Sequence, residues 1–302
     1  MKLATTIEDV LYDGVVSDYA EAVRAYEGSG FRHLDFSFLA GGWLSEDDWM
    51  HSVIAAATEA ERLGMDFVQA HAPGYNPMSP SYNDTYRLRF ARAIEACGWL
   101  GVHNLVVHSG YDEAVRYPEG REQYFAANTA FYRELVPYME KHRVRVLIEN
   151  SCASNMGNKY WFMTGQEMAD FIDAFGHPLL GACWDIGHGQ AHGLRASEQF
   201  AALGQRLCAL HVHDTPGRYD AHMMPFAGFV DWDDVLQGLQ AIRYSGFFTF
   251  EAMHTLRLHR AGEHLQAPAR LTLPSLPMMR RYLGLLYETG KYMLEQYSCF
   301  EE

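Results

Sequence analysis

Basic residues are scarce in this sequence, whose 302 residues include 24 Lys and Arg against 38 Asp and Glu, for a net charge of −14 with histidine neutral. Proteins that hold the phosphate backbone of nucleic acids normally carry a basic surface. The composition therefore argues against a nucleic-acid partner, although bound divalent cations or a local basic cleft would offset part of the acidic excess.

Long apolar runs and closely paired cysteines are absent as well. No apolar segment approaches the roughly 20 residues that span a bilayer, and the N-terminal segment MKLATTIEDV lacks the basic and apolar regions of a secretory signal. The cysteines form no C-x-x-C pair, and they are Cys97, Cys152, Cys183, Cys208 and Cys299. We therefore expect reduced thiols in a cytoplasmic protein that has no membrane partner.

Apolar, strand-like segments alternate with segments of helical periodicity along the chain. The strand-like segments are 2–7, 31–39, 65–71, 103–108, 144–150, 179–186, 207–213 and 247–253. Helical periodicity occurs at 19–30, 47–64, 86–101, 123–142, 164–176, 197–206, 232–246 and 275–296. This order predicts an α/β fold in which a parallel sheet closes as a single (β/α)8 TIM barrel, with one domain over residues 1–302. An open doubly wound sheet is the alternative, but it would place the strand ends along a line rather than around a ring.

Many of these strand-like segments end in a residue type that binds metals. The residues are His71, His108, Glu149, Asp185, His211 and Glu251, with His188 just after Asp185, and Asp220 and His222 in the loop after His211. Active sites of parallel barrels form at the C-terminal strand ends, so we expect these side chains to converge. No Lys or Arg stands at the same strand ends to neutralise the carboxylates. A divalent metal site is therefore the leading hypothesis.

Two loops are long enough to cover a substrate bound at these strand ends. One follows Glu149 and spans 151–164, and the other follows the His211 strand and spans 214–232. They supply Lys159, Trp161 and Arg218 as candidate substrate-binding residues.

Four motifs carry a resemblance to a known family: IEN at Glu149, WDIGH around Asp185, HVHD from His211 and DAHMMPFAGFVDW from Asp220. Together they resemble the xylose isomerase-like TIM barrel superfamily, which includes D-tagatose 3-epimerase-like sugar epimerases and endonuclease IV-type apurinic endonucleases. The resemblance covers nearly the whole chain. It implies a single divalent ion (Mn²⁺, Mg²⁺, Co²⁺ or Zn²⁺) held by Glu149, Asp185, His211 and Glu251. It also implies that His188 contacts the substrate, that Glu149 and Glu251 transfer protons, and that the protein forms a homo-oligomer.

The same resemblance leaves a second reading open, because the endonuclease relatives bind three zinc ions through nine side chains. All nine types have a counterpart here, the additional ones being His71, His108, His188, Asp220 and His222. Gly74, however, stands where that family tends to carry an aromatic residue.

We predict a metal-dependent isomerase or epimerase in carbohydrate metabolism, which acts on a small sugar or sugar-like hydroxy-ketone through an enediolate. A three-zinc apurinic endonuclease is the first alternative, and a dehydratase or lyase at the same site is the second. A non-catalytic sugar-binding protein is the third and least favoured, because a ring of buried ligands is costly to keep without a metal.

Overall fold

The computed structural model describes residues 1–11, 15–39, 41–157, 159–252, 254–256 and 274–302. Met253, the last residue of the eighth predicted strand, lies outside the described residues. The strands are β1 (Leu3–Thr6), β2 (His33–Ser37), β3 (Asp66–His71), β4 (Asn104–Val106), β5 (Arg145–Glu149), β6 (Leu180–Asp185), β7 (Leu207–His211) and β8 (Phe248–Phe250).

These strands form one parallel sheet in the order β7-β6-β5-β4-β3-β2-β1-β8. A parallel bridge between Val212 and Phe250 joins the two ends. There the Val212 N–H donates to the Thr249 carbonyl at 2.8 Å, and the Glu251 N–H donates to the Val212 carbonyl at 3.1 Å. The sheet is thus a nearly closed barrel, which confirms the predicted (β/α)8 fold.

Helices lie between the strands. Within the described ranges they are α1 (Glu8–Leu11), α2 (Tyr19–Ala25), α3 (Met50–Leu63), α4 (Asp84–Leu100), α5 (Arg121–His142), α6 (Ala153–Met156), α7 (Gly165–Phe175), α8 (Ile186–Ala191), α9 (Ala196–Leu203), α10 (Trp232–Ala241) and α11 (Leu276–Gln296). Short 3₁₀ helices occupy Gly41–Ser45 and Gly204–Arg206. No described helix combines the length and apolar character that crossing a bilayer requires.

Local chemistry sets where several helices begin and end. Thr164 and Glu167 form a reciprocal capping box at the start of α7, which satisfies backbone N–H groups that have no partner inside the helix. The predicted helix over 19–30 stops at Ala25, because Gly28 and Gly30 adopt positive φ angles of 78° and 100°. Gly30 also lies against the Tyr287 ring, where a Cβ would come within 2.4 Å of a ring carbon.

The strands are apolar along their length and polar where they end. In β5, Val146, Leu147 and Ile148 are fully buried, and Glu149 follows with 2% of its surface exposed. Each buried aliphatic side chain contributes about 1.5–3 kcal/mol relative to an exposed one. This packing fixes the strands, so the polar residues at their C-terminal ends are held on a rigid frame.

Candidate metal centre

A cavity of about 500 Å³ opens at the C-terminal ends of the strands. Its lining includes eight of the residues that the sequence singles out, namely His71, His108, Glu149, Trp161, His188, Asp220, His222 and Glu251. Asp185 and His211 lie just beneath, with 0% and 2% of their surfaces exposed. The ring that the strand-end pattern predicts is therefore present around one cavity.

Four of these residues form a compact donor set, hereafter the carboxylate-rich site: Glu149, Asp185, His211 and Glu251. One ligand atom from each lies within 4.8 Å of the others. Nδ1 of His211 is 2.7 Å from Oε1 of Glu149 and 3.4 Å from Oε2 of Glu251. Three buried carboxylates are too costly to hold without compensating positive charge. Their oxygens and one imidazole nitrogen fit a divalent cation such as Mn²⁺, Mg²⁺, Co²⁺ or Zn²⁺.

Neighbouring histidines favour the charged form of two of these carboxylates. Burial favours the neutral form of Glu149, but the charge of His211 and hydrogen bonds from His108, His211 and His71 hold the pKa of Glu149 well below its usual range. For Asp185, the charges of His188 and His213 outweigh burial and lower the pKa. A cation that binds here must displace protons, because imidazole ligates a metal only in its neutral form.

A second donor set joins β3 and β4 to Glu149. Nε2 of His108 lies 2.8 Å from Oε2 of Glu149 and 3.0 Å from Nε2 of His71. Nε2 of His108 cannot donate a proton to Glu149 and accept one from His71 at the same time. A cation among the three groups satisfies all of them, so the geometry suits a metal here as well.

A third donor set surrounds Asp220. Nε2 of His222 is 2.9 Å from Oδ1 of Asp220, and Nε2 of His188 is 3.3 Å from Oδ2. His188 reaches this position because Asp185 caps the short helix α8, its Oδ1 accepting the His188 N–H at 2.7 Å. The WDIGH motif thus places Asp185 in the carboxylate-rich site and His188 beside Asp220.

The three loop residues predicted to bind substrate lie in different environments. Trp161 lines the cavity, and its indole N–H donates to the Glu149 carbonyl at 3.1 Å. Lys159 forms an ion pair with Glu113 at 2.5 Å and does not line the cavity, and Arg218 is exposed to solvent. Substrate binding by Lys159 and Arg218 stays a prediction.

Glu8 is a cavity residue that the strand-end pattern missed. It begins the four-residue helix α1, directly after β1, and its carboxyl accepts a hydrogen bond from the Ser37 hydroxyl at 2.8 Å. Burial and then the charge of Glu251 raise the pKa of Glu8 to about 7. The signal was available in TTIED, where an acid follows the first strand as it does the fifth and eighth.

A family model described as a xylose isomerase-like TIM barrel matches residues 23–273. The chain belongs to this family. Two curated relatives are uncharacterized proteins, one from Sinorhizobium fredii at 25% identity over 159 residues and one from Methanocaldococcus jannaschii at 26% over 197 residues. The alignments cover 52% and 61% of this chain, but only 50% and 64% of those relatives.

Solved structures of the same fold include both enzyme classes that the sequence motifs resemble, a sugar epimerase and an AP endonuclease. A D-psicose 3-epimerase from Clostridium cellulolyticum H10 has a TM-score of 0.73 at 16% identity, with 97% of this chain and 99% of that chain covered. A family 2 AP endonuclease from Brucella melitensis has a TM-score of 0.67 at 16% identity, with coverage of 83% and 93%. At these identities the likeness demonstrates a shared fold and leaves the reaction to the residues of the site.

Proposed function

We propose that this protein is a divalent-metal-dependent isomerase or epimerase that acts on a small sugar or a sugar-like hydroxy-ketone. One observation carries the proposal: the carboxylates of Glu149 and Glu251 flank His211 at the base of the cavity, within one four-donor set. The sugar epimerase among the solved structures of this fold supports it.

Two carboxylates on different parts of the ring suit proton transfer to and from a substrate carbon. A cation held in the carboxylate-rich site supplies the Lewis acidity that polarises a substrate carbonyl and acidifies the adjacent C–H. Glu149 approaches from β5 and Glu251 from β8. One of them takes the proton, which leaves an enediolate of the substrate, and the other returns a proton to complete the reaction.

His188 and Trp161 are the residues we propose for substrate contact. Both line the cavity, and Trp161 is 5% exposed, so its ring forms a largely desolvated wall beside His108 at a ring-centroid distance of 5.6 Å. An aromatic wall packs against the apolar face of a sugar, and an imidazole can donate to or accept from a hydroxyl.

The experiment that tests this proposal follows solvent deuterium. Protein stripped of metal and reloaded with Mn²⁺, Mg²⁺, Co²⁺ or Zn²⁺ is incubated with D-tagatose, D-fructose or D-psicose in ²H₂O. We expect the product to carry deuterium at the carbon that lost its proton, because a carboxylate exchanges its proton with solvent. A product that forms without deuterium at any carbon would contradict proton transfer through exchangeable carboxylates.

Glu251→Gln is the matched variant, since it keeps the shape of the side chain and removes the base. We expect it to abolish turnover and deuterium uptake while the circular dichroism spectrum stays unchanged. Glu198→Gln on the exposed side of α9 serves as the control and should retain full activity. Retained turnover in Glu251→Gln would refute the assignment of the proton-transfer pair.

The second and third donor sets favour one other candidate function, a phosphodiesterase of the apurinic-endonuclease type with up to three zinc ions. Among the described residues that line the cavity, none is Lys or Arg, so no basic side chain is in place there to bind a phosphate. We therefore rank it second, and incubation of the zinc-loaded protein with a duplex that contains an abasic site tests it. A dehydratase or lyase would use the same carboxylates and is distinguished by product analysis.

The remaining sequence-based expectations also belong to the proposal. They are one domain over residues 1–302, a cytoplasmic location and a homo-oligomer. Light scattering on the purified protein measures the oligomeric state directly.

A further inference from the structure

We propose that Glu8 binds a hydroxyl group of the substrate and so decides which sugars the cavity accepts. The inference rests on the proposed function, because it adds a substrate contact to the same cavity. Glu8 lines this cavity with only 3% of its surface exposed. It belongs to none of the metal donor sets that the described residues form. A buried carboxyl without a metal or an ion pair needs another hydrogen-bonding partner.

The turn after β1 places Glu8 at the cavity wall. Thr6 ends β1, and its hydroxyl accepts the Glu8 N–H at 3.1 Å. The N–H of Ile7 donates to the Asp35 carbonyl in β2 at 3.0 Å, and the Ile7 side chain is fully buried. These contacts end the strand and start helix α1 at Glu8, so the carboxyl is held on the frame of the barrel.

Ser37 fixes the orientation of the carboxyl. It is the last residue of β2, and its hydroxyl accepts the Leu39 N–H at 3.3 Å and donates to Oε2 of Glu8 at 2.8 Å. The Ser37 carbonyl accepts a hydrogen bond from the Tyr19 hydroxyl at 3.0 Å. A serine hydroxyl has a single proton, so Ser37 donates only to Glu8. A side chain that is held in this way is preorganised to bind a ligand.

The other oxygen of the carboxyl is available to a ligand. Among the described residues, none donates a hydrogen bond to Oε1 of Glu8, and this atom keeps some accessible surface. A carboxylate can accept about four hydrogen bonds, and the protein supplies only the one from Ser37. A hydroxyl of a bound sugar would supply the missing donor.

Glu8 lies across the cavity from Trp161. The strands β1 and β5 are four places apart in either direction around the ring, which the bridge between Val212 and Phe250 closes. Glu8 follows β1, Trp161 belongs to the loop after β5, and both residues line the cavity. A sugar in the cavity therefore lies between an aromatic wall on one side and a carboxyl on the other. Such a pair of contacts fixes the orientation of a small ligand.

The charges around the cavity determine which group Glu8 can accept. The described lining contains no Lys or Arg and four carboxyl groups, those of Glu8, Glu149, Asp220 and Glu251. A phosphate or carboxylate of the substrate would be repelled at Glu8 and would find no basic partner there. A hydroxyl donates a hydrogen bond and carries no charge. Glu8 therefore selects a substrate with a hydroxyl at one particular carbon and rejects a substrate that is deoxygenated or phosphorylated at that carbon.

The test combines a variant of Glu8 with deoxy sugars. The metal-loaded wild-type protein and Glu8→Ala are compared on the ketose that the wild type converts among D-tagatose, D-fructose and D-psicose, and on its 1-, 4-, 5- and 6-deoxy analogues. In the wild type, one of these analogues should lose about 10- to 100-fold in kcat/KM, the value of a hydrogen bond to a charged group. Glu8→Ala should lose the same factor on the parent ketose and nothing further on that analogue, because the two changes remove the same contact. Penalties that are the same in both proteins for all four analogues would overturn the proposal.

The same measurements distinguish substrate binding from two other roles of Glu8. A proton-transfer group would slow the parent ketose and every analogue by one common factor and would lower deuterium uptake with all of them, and this result would also overturn the proposal. Ser37→Ala leaves the carboxyl in place without its orienting donor, so it should reduce the penalty for the same analogue only in part. Glu198→Gln, on the exposed side of α9, should keep the wild-type penalties.

Glu8→Gln guards against misfolding, because it keeps the volume of the side chain and can still accept from Ser37. Its amide then presents an NH₂ group to the cavity in place of an acceptor, so its penalty for the same analogue should be smaller than that of the wild type. A Glu8→Gln variant with the full wild-type penalty would contradict acceptance by the carboxylate.

Failure of this inference can be told apart from failure of the proposed function. If the wild type binds a ketose without converting it, the Kd from calorimetry replaces kcat/KM in the same comparison. If it neither binds nor converts any of the three ketoses, the proposed function fails and this inference falls with it. If it converts a ketose and Glu8→Ala leaves the discrimination unchanged, only the role of Glu8 is refuted.

Discussion

Replacing Glu8 by Gln should stabilise the metal-free protein, and the gain should increase with pH. The Glu8 carboxyl is 3% exposed, and burial followed by the charge of Glu251 raises its pKa from 4.5 to about 7. His71 and His222 face the same carboxyl and favour its charged form, as does the hydrogen bond from Ser37. The raised pKa is the net result of these opposing influences.

The sign and size of the effect follow from proton linkage. Below pH 4.5 both folded and unfolded chains are protonated at Glu8, so the residue has no effect on stability. Between pH 4.5 and about 7 the unfolded chain ionises first, so the free energy of unfolding falls, and above about pH 7 the loss is complete. At ~1.4 kcal/mol per pH unit this loss is about 3 kcal/mol. The neutral Gln can still accept from Ser37, so the variant should gain nearly this amount at pH 8 and nothing at pH 4.

Urea unfolding followed by circular dichroism, with chelator present and at pH 4, 6 and 8, measures this gain. Glu59→Gln is a control for which we expect the opposite sign. Hydrogen bonds from Arg62 and then Arg24 lower the pKa of Glu59 to about 2, so replacing the charged carboxylate by the neutral Gln should destabilise the protein at neutral pH. A Glu8→Gln variant whose stability relative to wild type does not change with pH would refute the reasoning.

Three further predictions concern the metal centre. Gly187→Ala should destabilise the protein by about 1–3 kcal/mol or more, because the new methyl group would lie 2.0 Å from the His213 ring. Thermal unfolding measures this loss, and an unchanged Tm would contradict the prediction. Metal binding at pH 7 should release protons and strengthen as pH rises. Burial lowers the pKa of His71, but the hydrogen bond to Glu149 and its charge outweigh burial and raise that pKa to about 9. In the same way, Asp220 outweighs burial and raises the pKa of His222 to about 10. Calorimetry in buffers of different ionisation enthalpy counts these protons, and none would be released if the histidines were already neutral. Trp161→Ala should raise KM for the sugar more than it lowers kcat, because the ring forms a cavity wall and holds no reacting proton.

Strand periodicity predicted the barrel well, because each buried strand is a short apolar run and each ends at the cavity. Elements that depend on one or two capping contacts were harder to predict. Helix α8 follows β6 with no loop, held by the carboxylate of Asp185 rather than by an apolar pattern. Helix α1 has only four residues, too few to give helical periodicity, so Glu8 was not recognised as a residue of the cavity.

The donor residues were predictable as a group, but their division into sites was not. Nine candidates follow from strand ends and motifs, and the structure brings them around one cavity. Which Asp220 oxygen faces which histidine depends on the path of the loop after β7. His213 follows His211 by two residues, so the alternation of side chains along a strand predicts that both point to the same face of the sheet. It does not predict that the two histidines belong to different donor sets.

The bridge between Val212 and Phe250 is the seam of the barrel, and it has a consequence for folding. His211 and Glu251 stand on either side of that seam, so a cation held by both residues connects the last two strands across it. Such an ion binds only after the chain between them has closed into the barrel, and it therefore acts as a reversible cross-link. At a free ion concentration of about 1,000 times Kd this link adds ~4 kcal/mol to the folded state. Amide hydrogen exchange at Val212 and Glu251, whose N–H groups form the hydrogen bonds of the seam, should slow accordingly, which makes the seam a local reporter of metal occupancy.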